Sequence, residues 1–408
     1  MLGAGAREHA LAWRIAQSRS VSAVGIAPGN DLAALDHDTL PCLLNDPQAV
    51  CAAVREYRAD FVVVGPEVPL VSGAVDALMR AGVPVLGPTQ NAAELEGSKA
   101  FAKEAMRRAG VPTAEYDAFV DVASARRYVR ERGGALVVKA DGLMAGKGVS
   151  VCSTTAEAER AVEELFASGP SRVVIERRLP GPELSLIALC DGEHFSLFAL
   201  SRDYKRVGTY DEGKNTGGMG ALCPLPRKDA AALGELTIAP MLHYMRGQGM
   251  PFRGFLYAGV MFDGANPHVL EYNVRLGDPE TQVLLMAMED DIVPSLFGAA
   301  QGKLEPLPRV CGAAVCVVLA AKGYPDTPEL GARIVGVAGA RKHPHVRVFG
   351  AGIKREGSGM VVSGGRVLSV VAHAATVGEA RARAYAAADE IHFEGMQRRE
   401  DIAEGVGF

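Results

Sequence analysis

The sequence predicts an α/β and α+β multidomain protein, with an N-terminal βαβ parallel-sheet domain, a central α+β domain and a small C-terminal α+β domain. Three observations predict it. Short apolar strands alternate with helices up to about residue 98. Two strand-like stretches then flank a glycine-rich loop at residues 142–148. The proline-rich stretch Leu304-Glu305-Pro306-Leu307-Pro308 reads as a linker before the last hundred residues.

The elements follow in chain order. Glu8 to Gln17 reads as a helix, and Val21 to Ala27 as a strand ending in the turn Pro28-Gly29-Asn30. Pro47 to Tyr57 is helical. Phe61-Val62-Val63-Val64 is wholly apolar, the composition of a strand buried on both faces of a parallel sheet. It ends at Gly65-Pro66-Glu67. Another helix, the strand Val83 to Leu86 and a helix from Ser98 to Ala109 come next. Beyond Pro112, Leu136 to Ala140 and Val149 to Val151 are strands. Thr154 and Glu157 make a capping box for a helix to Phe166. Arg172 to Glu176, Leu184 to Leu189 and Phe195 to Leu200 are strands, and Asp211 to Gly220 is a glycine-rich loop. Tyr257 to Phe262 and Pro267 to Val274 are strands joined by a hairpin turn at Asp263-Gly264-Ala265-Asn266. Thr281 to Met288 and Val377 to Asp389 are helical. The first glycines follow Met1-Leu2 directly, so the pattern expects a first strand cut short, with a few of its residues missing before Met1.

Composition narrows the function. A net charge of -5 disfavours a nucleic-acid partner, which wants a basic face. It permits a small phosphorylated substrate, which needs only a local cluster of donors. Seven cysteines with no CxxC pair read as small buried residues in a reducing compartment, not a zinc site or disulfide framework. A signal-peptide pattern is lacking, and no uncharged apolar run reaches about 18 residues. The expectation is a soluble, cytoplasmic protein without a membrane partner.

Four motifs carry chemistry. In Gly142-Leu143-Met144-Ala145-Gly146-Lys147-Gly148, glycines let backbone N–H groups approach phosphate oxygens and Lys147 adds charge. A flexible hairpin with a solvated lysine is the alternative. Lys139 lies on an otherwise apolar strand, where an unpaired ammonium is costly, so it points to an anionic partner. In Glu271-Tyr272-Asn273-Val274-Arg275, alternation puts Glu271, Asn273 and Arg275 on one face, and Leu270, Tyr272 and Val274 toward the core. Glu271 and Asn273 form a hard-oxygen pair suited to magnesium, with an arginine suited to phosphate beside it. A solvated strand face bearing an ion pair explains the same period. Asn215-Thr216-Gly217-Gly218-Met219-Gly220 is a connector or a mobile lid. The fourth motif is a set of polar turns on one edge of the N-terminal sheet: Gly3, Gly5, Arg7 and Glu8; Gly29 and Asn30; Pro66 and Glu67. That edge of a parallel sheet is where ligands bind.

Taken in order and spacing, Gly5-Ala6-Arg7-Glu8-His9-Ala10, Val64-Gly65-Pro66-Glu67, Glu96-Gly97-Ser98-Lys99, Lys139-Ala140-Asp141-Gly142, Asn215 to Gly220 and Glu271 to Gln282 resemble the phosphoribosylamine–glycine ligase family of the ATP-grasp superfamily. The resemblance spans essentially the whole chain. It implies three domains: 1–98 for substrate, 99–308 as the ATP-grasp domain with a mobile lid at about 114–185, and 309–408. It implies an ADP-forming ligation of glycine to 5-phosphoribosylamine through glycyl phosphate, with ATP and magnesium or manganese.

The resemblance also implies site roles. Lys103, Lys139, Gly146, Lys147 and Gly148 would meet ATP phosphates. Glu176 to Leu179 would hold adenine, Glu183 the ribose, and Glu271 and Asn273 the metal. Arg275 and Asp278 would be catalytic. Gly5, Arg7, Glu8, Gly29, Asn30, Pro66 and Glu67, with Asp211, Asn215, Thr216, Gly217, Gly218, Met219 and Gly220, would hold the two substrates. One departure is a glycine, Gly259, where many ATP-grasp enzymes carry an acid on the strand before the Glu-x-Asn pair. The rivals are an ATP-grasp ligase that takes bicarbonate, a dinucleotide-dependent oxidoreductase and a non-catalytic nucleotide sensor. Arg7-Glu8, standing where a G-x-G-x-x-G would have its last glycine, counts against the oxidoreductase.

Overall fold

The computed structural model describes residues 1–144 and 148–406. Four parallel pairings build the N-terminal sheet. Gly25–Pro28 pairs with Leu2–Gly3 on one side and Asp38–Thr39 on the other, and Val62–Val63 pairs with Val85–Leu86. A parallel bridge from Leu2 to Val64 joins the two halves. The strand order therefore reverses between Leu2–Gly3 and Val62–Val63. At such a switch point the two following turns diverge and leave a crevice at the carboxyl ends. Those turns are Gly3 to Arg7 and Gly65 to Glu67.

The Glu8 side chain fills the floor of that crevice. Gly3 takes φ +130°, and a Cβ at either Gly3 or Gly65 would collide with the Glu8 side chain. Glu8 then accepts a hydrogen bond from Gly5 N at 2.7 Å and pairs with Arg7 Nε at 2.5 Å. Glycine is required at both positions because a carboxylate passes between the strands.

The central region holds two antiparallel sheets. One orders Tyr116–Phe119, Val173–Arg177, Leu136–Ala140 and Val149–Cys152. Helices Val122–Arg132 and Thr155–Ala167 pack with it around a core of their own, including Val129, Val138, Val162 and Ile175. The cap of the second helix is slightly offset from the expected box. Thr154 Oγ1 accepts from Glu157 N, but the Glu157 carboxylate accepts from Ser153 N.

The other sheet orders Phe195–Leu197, Glu183–Asp191, Arg253–Asp263 and Asn266–Asn273. Its last pair is the expected hairpin. A bulge lies at Leu270, because Gly259 faces Glu271 while Val260 faces Val269. The bulge corrects the strict alternation read from the sequence. Val269, Tyr272 and Val274 are buried, but Leu270 is turned onto a cavity wall.

Two further expectations shift. The strand at Phe195 ends at Leu197. The stretch from Asp211 is not all loop, since Glu212–Asn215 pairs with Arg206–Gly208 as a hairpin. The C-terminal segment also does not make its main sheet alone. That sheet orders Arg202–Asp203, Gly220–Cys223, Ala313–Ala320, Arg366–Ala374 and Val346–Gly350, so two of its strands come from the central region. Helix Val377–Ala388 covers it, burying Ala380, Ala384 and Ala387. The calls on Gly146 and Lys147 lie outside the described residues.

Candidate active site

A cavity of about 460 Å³ opens where all these units meet. The N-terminal crevice contributes Arg7, Pro66 and Glu67. The small antiparallel unit contributes Lys139, Gly142 and Gly148, and the Glu271 strand contributes Glu271, Asn273, Arg275 and Asp278. Thr216 and Gly217 line it as well. The scattered motifs of the sequence thus face one space.

Cations cluster on the side of the antiparallel unit. Lys103 and Lys139 both reach the buried carboxylate of Glu176, Lys103 at 2.5 Å. Burial lowers Lys103 to about 8 from its ordinary value, with Glu176 opposing that shift. Burial works against the charge on Lys139 too, but Glu176 and Glu271 outweigh it and raise that lysine. Lys99 joins them on the cavity wall, donating to Gly142 O at 2.9 Å. Nearby, Ser98 Oγ donates to the Asp141 carboxylate at 3.1 Å. Helix Lys99–Ala109 is thereby fastened to the loop that leads into residues 145–147.

Acids and cations alternate across the opposite wall. Desolvation raises the Glu271 carboxyl, yet Lys139, Lys205 and Lys99 around it hold it below its ordinary value. Asn273 Oδ1 accepts from Arg275 Nη2 at 3.1 Å. Arg275 also meets Glu96 at 3.0 Å and Glu67 at 3.5 Å, and so locks the N-terminal unit against the Glu271 strand. Lys205 bridges Asp203 at 2.8 Å and Glu183 at 3.1 Å. Glu183 Oε1 lies 3.1 Å from the point a Cβ on Gly259 would occupy. The glycine that departs from the common pattern therefore makes room for an acid arriving from the neighbouring strand.

Several expected residues stand outside the cavity lining. Asn30 is spent on structure: Nδ2 donates to Ala4 O and Gly350 O, and Oδ1 accepts from Leu32 N and Ala33 N. Gly29 supplies the positive φ of the turn before it. Asp211 is drawn to Arg399, 2.7 Å away. Met219 is fully buried, Gly220 begins a sheet strand, and Gly218 packs on Pro279. Asn215 borders a neighbouring depression with Lys214 and Asp326. Leu179 is buried. Gly5 and Glu8 are committed to each other, Gly5 N donating to the Glu8 carboxylate at 2.7 Å.

Sequence reasoning gave no role to Glu96, Asp203, Lys205, Glu280, Tyr324 and Arg366, all on the cavity wall. Glu96 and Glu280, like Lys99, lay inside quoted motifs without a role. Asp203 and Lys205 alternate on a polar stretch, which was the one available signal for them. Arg366 carried none. Among the described residues no group of three or more histidines, cysteines or acids is arranged to hold a metal alone. Glu271 and Asn273 suit a hard divalent cation that takes its other oxygens from phosphate and water.

Profiles of the three phosphoribosylglycinamide synthetase domains match this chain in order: the N domain over residues 1–96, the ATP-grasp (A) domain over 97–281 and the C domain over 314–405. The phosphoribosylamine–glycine ligase of Rhodopirellula baltica is 42% identical, over 99% of this chain and 96% of its own length. That of Vibrio cholerae is 44% identical, over 98% and 96%. The chain belongs to the phosphoribosylamine–glycine ligase family. The crystal structure of the Thermotoga maritima phosphoribosylamine–glycine ligase superposes with a TM-score of 0.86 at 35% identity, covering 98% of both chains. The biotin carboxylase domain of the Hydrogenobacter thermophilus 2-oxoglutarate carboxylase, solved with MgADP and bicarbonate, shares the fold with a TM-score of 0.73 at 18% identity. Like the other members of its family, the chain is an ATP-grasp ligase of purine biosynthesis. No helix among the described residues is long and apolar enough to cross a membrane.

Proposed function

We propose that this chain joins glycine to 5-phosphoribosylamine with cleavage of ATP to ADP and phosphate, in the cytoplasm. The observation that carries the reading is the single cavity on which Lys99, Lys103 and Lys139, the Glu271–Asn273 pair and the switch-point crevice with Arg7 all open. A triphosphate fits the lysine side, a divalent cation the pair, and a sugar phosphate the crevice.

In this reading the glycine carboxylate attacks the γ-phosphorus of ATP, forming glycyl phosphate and releasing ADP. The amine of phosphoribosylamine then bonds to the acyl carbon as the carbon–oxygen bond to phosphate breaks. The amine proton leaves with the phosphate. Magnesium or manganese on Glu271 and Asn273 would offset triphosphate charge. Lys103 and Lys139 hold the phosphates in line, and Glu176 keeps both lysines aimed. The excess of positioned charge fits a reaction that needs alignment more than a protein nucleophile. Arg7 gives Nε to Glu8 and Nη1 to Leu276 O, and in this reading it meets the sugar phosphate through its remaining nitrogen at the cavity wall. The test is phosphate release by the purified protein with ATP and magnesium. It should require glycine and phosphoribosylamine together, and release that continues unchanged without either one overturns the reading.

A further inference from the structure

We propose that Arg366, supplied by the C-terminal sheet, is a positioning residue that fixes Asp278 and the Gly217 peptide so that the phosphoribosylamine amine is held toward the activated glycine. The inference rests on the function proposed above and assigns the C-terminal segment a part in it.

Local structure explains how a residue so far along the chain arrives there. Arg366 is the first residue of strand Arg366–Ala374, and the register with Ala313–Ala320 shifts at its partner Ala320. Bulges of this kind re-aim a side chain out of the sheet's alternation. The strand enters through Gly364-Gly365, where a Cβ on Gly365 would collide with the Tyr324 ring. Arg366 and Tyr324 therefore reach the cavity side by side.

Between them they hold one residue, Gly217, through the peptide groups on both of its sides. The Tyr324 hydroxyl accepts from Gly217 N at 2.9 Å, and Arg366 Nη1 donates to Gly217 O at 2.8 Å. The same nitrogen donates to Asp278 O at 2.6 Å, while Nη2 lies 3.2 Å from Asp278 Oδ2. The second Asp278 oxygen accepts from Gln282 Nε2 at 2.7 Å. Asp278 Oδ2 stands 3.6 Å from the point a Cβ on Gly5 would occupy, so it faces the turn assigned to the sugar phosphate. Burial would neutralise Asp278, but the positive charges of Arg366 and Arg7 keep it ionised. An ionised carboxylate there accepts a hydrogen bond from the substrate amine and orients its lone pair. A purely structural arginine looks different in this fold: Arg399 is 1% exposed, whereas the Arg366 side chain is 23% exposed, toward the cavity it lines.

The test is steady-state kinetics of the full chain with each substrate varied in turn. Arg366→Ala should lower kcat/KM for phosphoribosylamine about 100-fold, the scale of a misplaced reacting group, with KM for ATP within about twofold. Its acidic limb should move to higher pH, because Asp278 loses a cation that favours its charged form. Arg366→Lys should recover part of the loss, since an ammonium reaches the carboxylate but not both carbonyls. A rise in KM for ATP well beyond twofold, no loss in kcat/KM for phosphoribosylamine, or no recovery by lysine would overturn the inference. If Arg366→Ala does not fold by circular dichroism, Tyr324→Phe decides. It removes only the hydroxyl on Gly217 N, and a phosphoribosylamine-selective loss supports the inference while unchanged kinetics overturn it. Wild-type protein that releases phosphate without needing glycine and phosphoribosylamine defeats the proposed function itself. A wild type that needs both, with no selective loss in the variants, defeats only the role of Arg366.

Discussion

The ammonium of Lys103 lies 2.5 Å from the carboxylate of Glu176, with both groups almost wholly buried. Lys139 closes on the same carboxylate from the adjacent strand. One acid thus holds two cations side by side at the cavity wall. The pair is costly to bury and worth keeping only if it aims the lysines.

Lys103 sits at about 8 because of that burial, so nucleotide binding should depend on pH. The lysine is charged below this value and loses its proton as pH rises through it. The dissociation constant for a nonhydrolysable ATP analogue, measured by calorimetry, should rise as pH passes about 8. Lys103→Arg should remove the transition, because arginine stays charged. A flat profile in the wild type would show that Lys103 does not face the phosphates.

Glu271→Gln should abolish most turnover and leave the fold intact. Removing one hard anionic oxygen weakens the metal and leaves triphosphate charge uncompensated. A loss on the order of 100-fold or more is expected, the scale of deleting one charge-stabilising group. Near-normal activity at ordinary magnesium concentration would contradict the metal assignment.

Arg7→Ala should raise the KM for phosphoribosylamine roughly tenfold or more, as expected for a charge-assisted hydrogen bond. KM for ATP should stay nearly unchanged. If ATP binding weakens instead, the sugar phosphate does not lie at the switch-point crevice.

The unit from about 114 to 185 has its own hydrophobic core and touches the cavity through Lys139 and the loop after it. It should close as a rigid lid over nucleotide. Hydrogen exchange with and without a nonhydrolysable ATP analogue checks this: residues 136–152 should gain protection, and equal exchange in both states would count against closure.

Arg399 pairs with Asp401 at 2.5 Å and Asp211 at 2.7 Å, and it is almost fully buried. Arg399→Met should cost about 3–5 kcal/mol of stability, because the buried Asp401 loses its partner. Denaturant titration measures it. Asp211→Asn should cost far less and leave KM for glycine unchanged. A rise in that constant would return Asp211 to the substrate site.

Much of this arrangement was legible in the residues. Strands such as Leu136–Ala140 and helices such as Pro47–Tyr57 have the expected bounds, because apolar period and caps agree there. Lys139 was found because a lysine on an apolar strand must have a partner, and Glu271 and Asn273 because they share a strand face. What escaped depended on contacts distant in sequence. Asn30 looked like a ligand-binding turn residue until Gly350 arrived to use its amide. The bulge at Leu270 depends on register with a neighbouring strand, which side-chain period alone does not encode. Arg366 gave no local signal, since its importance comes from Asp278, 88 positions earlier.

The shared five-stranded sheet bears on how this chain can be divided. Strand Gly220–Cys223 lies between Arg202–Asp203 and Ala313–Ala320. A gene cut after residue 308 would strip that strand of one neighbour and leave a bare row of backbone donors and acceptors. Such an edge recruits other chains. The first fragment should therefore precipitate when expressed alone. Co-expression with residues 309–408 should rescue it, as the second fragment zips onto Gly220–Cys223 and restores a two-piece enzyme.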